Sequence, residues 1–280
     1  MDSEKKTSFD SKKLSTILFF VFLAGFILCA VMVGSKIFKG KAEQEGYDRL
    51  AEIVAPTVAG EAQDSAASAP GDTAENQAQP TPRPLSAENL DKLVQMNSDF
   101  FGWISIPGTA VNYPVVYTPT DPDYYLRRDF YGKKAEAGVP FLGDGCKAKG
   151  NAFIIHGHNM KNGTMFADIM KYRSADYCTQ HPYIQFDTPT TKGTFEVIGA
   201  FQYDAQDRPD LDFRLYDYTG KLSNKHFNEY LAYVQEHSLY QTGVNTSYGD
   251  VLLTLSTCTN GAEFDRFIVV ARKTNKLLAE

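Results

Sequence analysis

The feature that most constrains the fold of this chain is a series of short apolar runs between residues 103 and 272. Segments rich in Gly, Pro, Asn and Asp separate the runs, as is common for strands joined by turns. Many residues in the runs are β-branched or aromatic, which is typical of strands. We therefore predict a mainly β fold with a few helices, in which eight strands form a closed or nearly closed barrel. The eight predicted strands are residues 103–106, 111–117, 139–142, 152–155, 183–186, 194–201, 251–257 and 267–272.

Two segments have the periodicity of amphipathic helices. Ser86 is a candidate N-cap for a short helix that carries Leu90, Leu93 and Val94. Ser223 is a candidate N-cap for a longer helix just before the seventh strand. The apolar residues that recur at helical spacing in this second segment are Phe227, Tyr230, Leu231 and Val234.

The N-terminal part of the chain contains an apolar segment, residues 14–33. Its length of ~20 residues is enough for a helix to cross the hydrocarbon core of a bilayer. Lysines flank it on both sides, and their slight excess before the segment favours an N-terminus inside the cell. A cleaved secretory signal peptide is the alternative, but the segment continues without a small-residue cleavage site. The sequence therefore predicts an uncleaved signal anchor, a single membrane span, and a folded domain outside the cell membrane.

The residues between this segment and the predicted barrel are mostly small or polar. Residues 56–84 contain almost no large apolar side chain, so they cannot bury enough surface to order themselves. We predict a cytoplasmic tail at 1–13, a transmembrane signal anchor at 14–35, a disordered extracellular stalk at 36–84 and a folded domain at 85–280, whose chemistry is considered next. The formal net charge is -6, which argues against a general role in binding nucleic acid.

Polar side chains stand at the ends of three predicted strands. Cys258 directly follows the seventh strand, Arg266 directly precedes the eighth, and His156 and His158 follow the fourth. A thiol, an imidazole and a guanidinium supply the nucleophile, the proton shuttle and the fixed positive charge that acyl transfer requires. Each group has an alternative interpretation. Cys258 could be a buried core thiol, the two histidines could form a His-x-His metal site, and Arg266 could be a surface charge. No further His/Cys cluster lies near the two histidines, so we expect no metal and no cofactor.

The four cysteines of the chain leave one pairing open. Cys29 lies within the apolar segment, and the three others lie in the predicted exterior part. An odd number there is consistent with at least one free, reactive thiol. A disulfide between Cys146 and Cys178 stays open, because sequence alone does not test its geometry.

Residues 90–273 contain an ordered set of motifs. The strongest are Thr-Leu-Ser-Thr-Cys at 254–258, Gly-His-Asn-Met at 157–160 and the downstream Arg266. The supporting segments are residues 101–109, 112–116, 123–126, 162–166 and 181–184. This set, in this order, resembles the class B sortases, which are cell-wall transpeptidases of Gram-positive bacteria.

The resemblance implies a sortase-type barrel with a helix between its sixth and seventh strands. It implies that His158, Cys258 and Arg266 are catalytic. It implies no catalytic function for His156, which stands where the family usually has an aromatic or small residue. We expect the residues just before the cysteine, Ser256 and Thr257, to contact the substrate.

The resemblance also implies a membrane-anchored cysteine transpeptidase. Such an enzyme cleaves a sorting motif in secreted proteins through a cysteine thioester and transfers the acyl group to an amine of a cell-wall precursor. The alternatives are a pilin-polymerising sortase that uses a lysine amine, a surface cysteine endopeptidase, and an inactive barrel that only binds. The expected partners are therefore secreted proteins with a C-terminal sorting motif and a peptidoglycan-precursor or pilin amine, with no nucleic acid.

Overall fold

The computed structural model describes residues 11–55, 85–206, 213–259, 261 and 263–274, with side chains from residue 15 onward. The eight strands of this part of the chain are β1 Phe100–Ser105, β2 Asn112–Val116, β3 Phe141–Leu142, β4 Ala152–His156, β5 Tyr183–Asp187, β6 Thr194–Asp204, β7 Leu252–Cys258 and β8 Asp265–Thr274. Its α-helices are α1 Ser11–Val54, α2 Ala87–Met96, α3 Ala175–Gln180 and α4 Asn224–His237. Two 3₁₀ helices span Ala167–Arg173 and Leu215–Asp217.

The strands close into a barrel in the order β1-β2-β3-β4-β7-β8-β6-β5, with β5 paired to β1. The β2–β3 and β4–β7 pairs are parallel, and the other pairs are antiparallel. A closed barrel leaves no strand edge unpaired, which suits a sheet built from short strands. The prediction of a mainly β, eight-stranded barrel with a few helices is confirmed.

The parallel pairing of β4 with β7 positions the polar strand ends. Ala152 pairs with Leu252 at one end of the two strands, and His156 pairs with Ser256 at the other. Both strands are buried until their last residue, which explains why apolar residues predominate in their first halves. Because parallel strands end at the same edge of a sheet, the residues that follow β4 lie beside the end of β7.

The third strand is shorter than predicted and is only two residues long, whereas β1 begins three residues earlier than predicted and β8 extends two residues further at each end. Pro140 precedes it and has no N–H to donate to a neighbouring strand. The Pro140 carbonyl still accepts a hydrogen bond from the Val116 N–H at 3.0 Å. The ladder therefore begins at Phe141 rather than at residue 139.

Both predicted amphipathic helices are present as α2 and α4. The Ser86 hydroxyl accepts from the Asn89 N–H, and the Ser223 hydroxyl accepts from the His226 N–H. The α4 helix packs against the outer face of the barrel through three buried side chains. These are Phe227, Tyr230 and Val234.

Within the described residues, α1 is long and apolar enough to cross a membrane. Its last turns belong to the compact unit that contains the barrel and begins at Glu45. Tyr47, Leu50 and Val54 are buried in the same core cluster as Leu90 of α2. One face of residues 45–54 therefore packs in the barrel's core cluster, although the sequence placed this segment in the stalk predicted at 36–84. Residues 36–54 of that predicted stalk are helical, and residues 56–84 lie outside the described residues.

The three cysteines of the barrel unit are free thiols. Cys146 and Cys178 are both buried, and Cys258 is half-buried. The Cys146 sulfur lies 3.4 Å from the Ile154 amide nitrogen in the barrel wall. The structure therefore contains no disulfide between Cys146 and Cys178.

Candidate active site

One pocket collects all of the predicted site residues. Its volume is about 520 Å3, and it lies at the shared ends of β4 and β7. The pocket is lined by every residue that the sequence predicted for catalysis or substrate contact, and also by His156, for which no catalytic function was expected. These residues are Cys258, His158, Arg266, Ser256, Thr257 and His156.

The hairpin of β7 and β8 brings Cys258 and Arg266 together. Cys258 is the last residue of β7, and it pairs directly with Arg266 in the antiparallel register. The Thr259 N–H donates to the Asp265 carbonyl at 3.0 Å and closes the connecting loop at its base. A half-buried thiol is thus held beside a half-buried guanidinium.

The Arg266 guanidinium is tied to its own loop. Its Nη1 donates to the Glu263 carbonyl at 2.8 Å and to the Asp265 carbonyl at 3.1 Å. These bonds use one of the terminal nitrogens of a planar group that carries five N–H donors. The loop therefore fixes the orientation of the positive charge at the pocket while leaving other donors of the fork for a ligand.

His158 follows β4 and is fixed at both its backbone and its ring. Its carbonyl accepts from the Phe166 N–H at 2.9 Å, and its Nε2 lies 2.9 Å from the Leu126 carbonyl. A carbonyl only accepts hydrogen bonds, so Nε2 carries the proton and Nδ1 is the basic nitrogen of the neutral ring.

The environment of His158 keeps its imidazole neutral at pH 7. Burial lowers the pKa of His158, the hydrogen bond to Leu126 partly opposes this, and the charges of Arg127 and Arg266 lower it further. A neutral imidazole is the form that takes a proton from a thiol.

His156 lines the pocket but is packed as an aromatic side chain. Its ring lies 5.4 Å from the Phe141 ring and 5.3 Å from the Tyr216 ring, between ring centroids. Burial, assisted by the charge of Arg266, lowers the pKa of His156 to about 4. Its ring therefore fills the place of a neutral aromatic side chain, as its position in the family pattern implies.

The residues before the cysteine join the two strand ends. The Thr257 hydroxyl donates to the Gly157 carbonyl at 2.8 Å, and the Gly157 N–H donates to the Ser256 carbonyl at 3.1 Å. A Cβ at Gly157 would lie 2.6 Å from the Phe166 ring, so only glycine fits this position. Both hydroxyl side chains are buried. In this structure Thr257 thus connects the cysteine strand to the residue that precedes His158.

Several pocket residues were not singled out from the sequence. Tyr216, in the 3₁₀ helix Leu215–Asp217, places its hydroxyl 3.4 Å from the Ser256 hydroxyl. Burial raises the pKa of Tyr216, so this group stays protonated. Nothing in the sequence distinguishes it from the other tyrosines of the chain. Leu126 lies in a segment recognised only through the family resemblance. Other pocket residues that the sequence did not predict as site residues include Asp121, Asp123, Asp144 and Thr219.

Comparisons with known proteins agree with this geometry. Sortase B of Listeria monocytogenes is 32% identical over 184 residues, which cover 64% of this chain and 70% of that protein. Sortase B of Staphylococcus aureus is 28% identical over 191 residues, which cover 67% of this chain and 75% of that protein. An X-ray structure of Clostridium perfringens sortase B is 29% identical, covers 66% of this chain and 99% of its own, and superposes with a TM-score of 0.60.

A Staphylococcus aureus sortase B–substrate complex has the same fold, with a TM-score of 0.66 at 23% identity. It covers 85% of this chain and 98% of its own chain. The profile of the sortase domain matches residues 104–274, which is more than half of this chain. Sortases are cysteine transpeptidases. The chain therefore belongs to the sortase family, and within it to the class B sortases.

Proposed function

We propose that this sortase is held in the cell membrane by α1 and acts outside the cell on secreted proteins that carry a C-terminal sorting motif. It cleaves the motif and transfers the acyl part to an amine of a cell-wall precursor. The observation that carries the proposal is the meeting of a thiol, a neutral imidazole and an oriented guanidinium in one pocket.

Cys258 acts as the nucleophile in the proposed reaction. His158 takes the thiol proton, and the sulfur attacks the carbonyl carbon of the scissile peptide bond, forming a C–S bond and a tetrahedral oxyanion. Arg266 stabilises this oxyanion with its charge and its free N–H donors. The oxyanion collapses as the C–N bond breaks, and the His158 imidazolium gives its proton to the departing amine. The acyl group remains on Cys258 as a thioester.

The second half of the reaction reverses these roles. The acceptor amine attacks the thioester carbon, and Arg266 again stabilises the oxyanion. His158 removes the amine proton, the C–S bond breaks, and the proton returns to the sulfur. The net change is one peptide bond broken and one formed, so no energy source beyond the substrate bond is needed. The lowered pKa of His158 supports this cycle, because the neutral ring is ready to accept a proton at each start.

The decisive experiment follows the fate of the acyl group. The purified chain is incubated with candidate sorting peptides, with and without a glycine peptide, a diamino acid or a lysine peptide, and the products are identified by mass spectrometry. We expect amine-dependent ligation product and a thioester adduct on Cys258. Cys258→Ala is the matched control and should give neither. Hydrolysis that no amine diverts would indicate an endopeptidase, preference for the lysine peptide would indicate a pilin-polymerising enzyme, and binding without turnover would indicate an inactive barrel.

The proposed location has an independent test. Cells that produce the full chain are fractionated in one experiment, and intact cells are treated with external protease in another. We expect the chain in the membrane fraction and the barrel removed by protease while the N-terminal tail stays protected. A barrel that is protected in intact cells would contradict the proposed orientation.

A further inference from the structure

We propose that Tyr47 of α1 is a positioning residue for His158, acting through Gly138 and the Leu126 carbonyl. The inference rests on the proposed catalytic role of His158. It assigns a function in the chemistry to residues that lie far before the barrel in sequence. The argument follows three successive contacts.

The first contact joins the end of α1 to the loop between β2 and β3. The Tyr47 hydroxyl donates to the Gly138 carbonyl at 2.6 Å, and this bond is buried. Only 2% of Tyr47 is exposed, and its ring packs edge-on against the Tyr113 ring at 5.5 Å between centroids. A rigid aromatic side chain with a buried hydroxyl needs its acceptor in one place. The position of the Gly138 carbonyl is therefore set by α1.

The second contact joins Gly138 to the backbone of residues 125 and 126. Gly138 has a φ of 59°, and a Cβ built on it would lie 2.6 Å from the Leu126 carbonyl oxygen and 2.9 Å from that of Tyr125. The next residue, Val139, donates its N–H to the Tyr125 carbonyl at 3.4 Å. The two stretches of backbone thus touch without an intervening side chain, so a shift of Gly138 displaces the Leu126 carbonyl.

The third contact reaches the imidazole. The Leu126 carbonyl accepts from His158 Nε2 at 2.9 Å, and this bond selects the tautomer with a basic Nδ1. Leu126 and Val139 both line the pocket, so this backbone is also part of its wall. If the Leu126 carbonyl moves, His158 loses the partner that fixes its ring rotation and its tautomer. Acyl transfer is sensitive to such a loss, because the basic nitrogen must face the reacting atoms.

The test is Tyr47→Phe in the full chain, which removes the hydroxyl and keeps the ring. We expect kcat to fall by about two- to tenfold, as for the loss of one hydrogen bond, with KM unchanged within about twofold. The hydrogen bond to Leu126 favours the protonated imidazole, so we also expect the NMR titration midpoint of His158 to move to lower pH. A residue with only a packing role would not shift that midpoint.

Three further variants make the result decisive. Gly138→Ala pushes on the Leu126 carbonyl without altering α1, and it should lower kcat and shift the midpoint in the same way. Val54→Ala loosens the packing of α1, and it should lower the melting temperature with kcat and the midpoint unchanged. Tyr131→Phe removes a hydroxyl from an exposed tyrosine in the loop between β2 and β3. It should leave kcat, the titration midpoint of His158 and the melting temperature unchanged.

His158→Ala separates this inference from the proposed function. If His158→Ala is inactive while Tyr47→Phe and Gly138→Ala keep both kcat and the midpoint, the positioning role is refuted and the proposed function stands. If His158→Ala turns over peptide at the normal rate, the proposed catalytic role fails and the positioning role fails with it. Equal losses in Val54→Ala and Tyr47→Phe would also refute the inference, because general loosening of α1 would then explain the effect.

Discussion

The end of α1 should contribute strongly to the stability of the barrel, and Leu50→Ala tests this. Leu50 is 1% exposed and belongs to the main core cluster. Replacing a buried leucine by alanine costs about 2–5 kcal/mol, because transfer free energy is lost and a cavity remains. Glu52→Ala is the matched control, since Glu52 is an exposed residue of the same helical turn and its loss should cost less than about 0.5 kcal/mol.

Urea unfolding of a fragment that begins at Glu45 measures both variants. Trp103 reports on the core, because it is the single tryptophan, is 1% exposed and donates to the Asn112 side chain at 2.7 Å. With a urea dependence of about 3 kcal/mol/M, a loss of about 3 kcal/mol lowers the midpoint by about 1 M. A fragment that begins at Leu85 lacks the whole segment and should unfold at still lower urea. If Leu50→Ala unfolds at the same urea concentration as Glu52→Ala, residues 45–54 are a linker and the packing argument is refuted.

Three further outcomes concern the pocket. His158→Ala should lower kcat by about a hundredfold to ten-thousandfold, whereas His156→Ala should be much milder; steady-state rates in the reverse order would make His156 the proton shuttle. Arg266→Ala should lower turnover by about a hundredfold to a thousandfold. Arg266→Lys should recover only part of this loss, because lysine keeps the positive charge but lacks the planar set of N–H donors of a guanidinium. Iodoacetamide labelling should still detect the Cys258 thiol in both variants, and near-normal turnover of Arg266→Ala would mean that backbone donors alone stabilise the oxyanion. The pKa of His156 is about 4 in the folded chain and about 6.5 in the unfolded chain, so the unfolded chain binds a proton at higher pH than the folded chain does. The free energy of unfolding should therefore decrease by on the order of 3 kcal/mol as pH falls from about 6.5 to about 4. Urea midpoints across this pH range should fall less steeply for His156→Phe, and parallel curves would contradict the assignment.

The strands that position the site were predictable because their signals are local. The strand that ends at Cys258 begins with an apolar run, and a polar loop follows it, so its position can be read from the sequence. The meeting of Cys258 with His158 needed more than local signals, because it depends on the parallel pairing of β4 with β7. The family resemblance, which preserves the order of motifs, supplied that long-range information.

The features that escaped prediction depend on contacts between distant segments. Tyr216 reaches Ser256 only because the segment before α4 folds over the pocket, and no periodic pattern precedes it. The burial of Tyr47, Leu50 and Val54 did have a signal, since their spacing places them on one face of a helix. That signal was hidden by the charged residues around them and by the polar segment at 56–84.

In this barrel, the residues that carry out the chemistry and the residues that form the rest of the pocket wall lie on different parts of the fold. The reacting groups stand on strand ends that are tied together through Gly157 and the β7–β8 register. The remaining pocket walls come from connecting segments around Asp123, Asp144 and Tyr216. Loops tolerate sequence change far better than paired strands do. An engineer who wants a new peptide specificity should therefore randomise those three segments while keeping Leu126 and the strand ends constant, since a library of this design varies recognition while it preserves the chemistry.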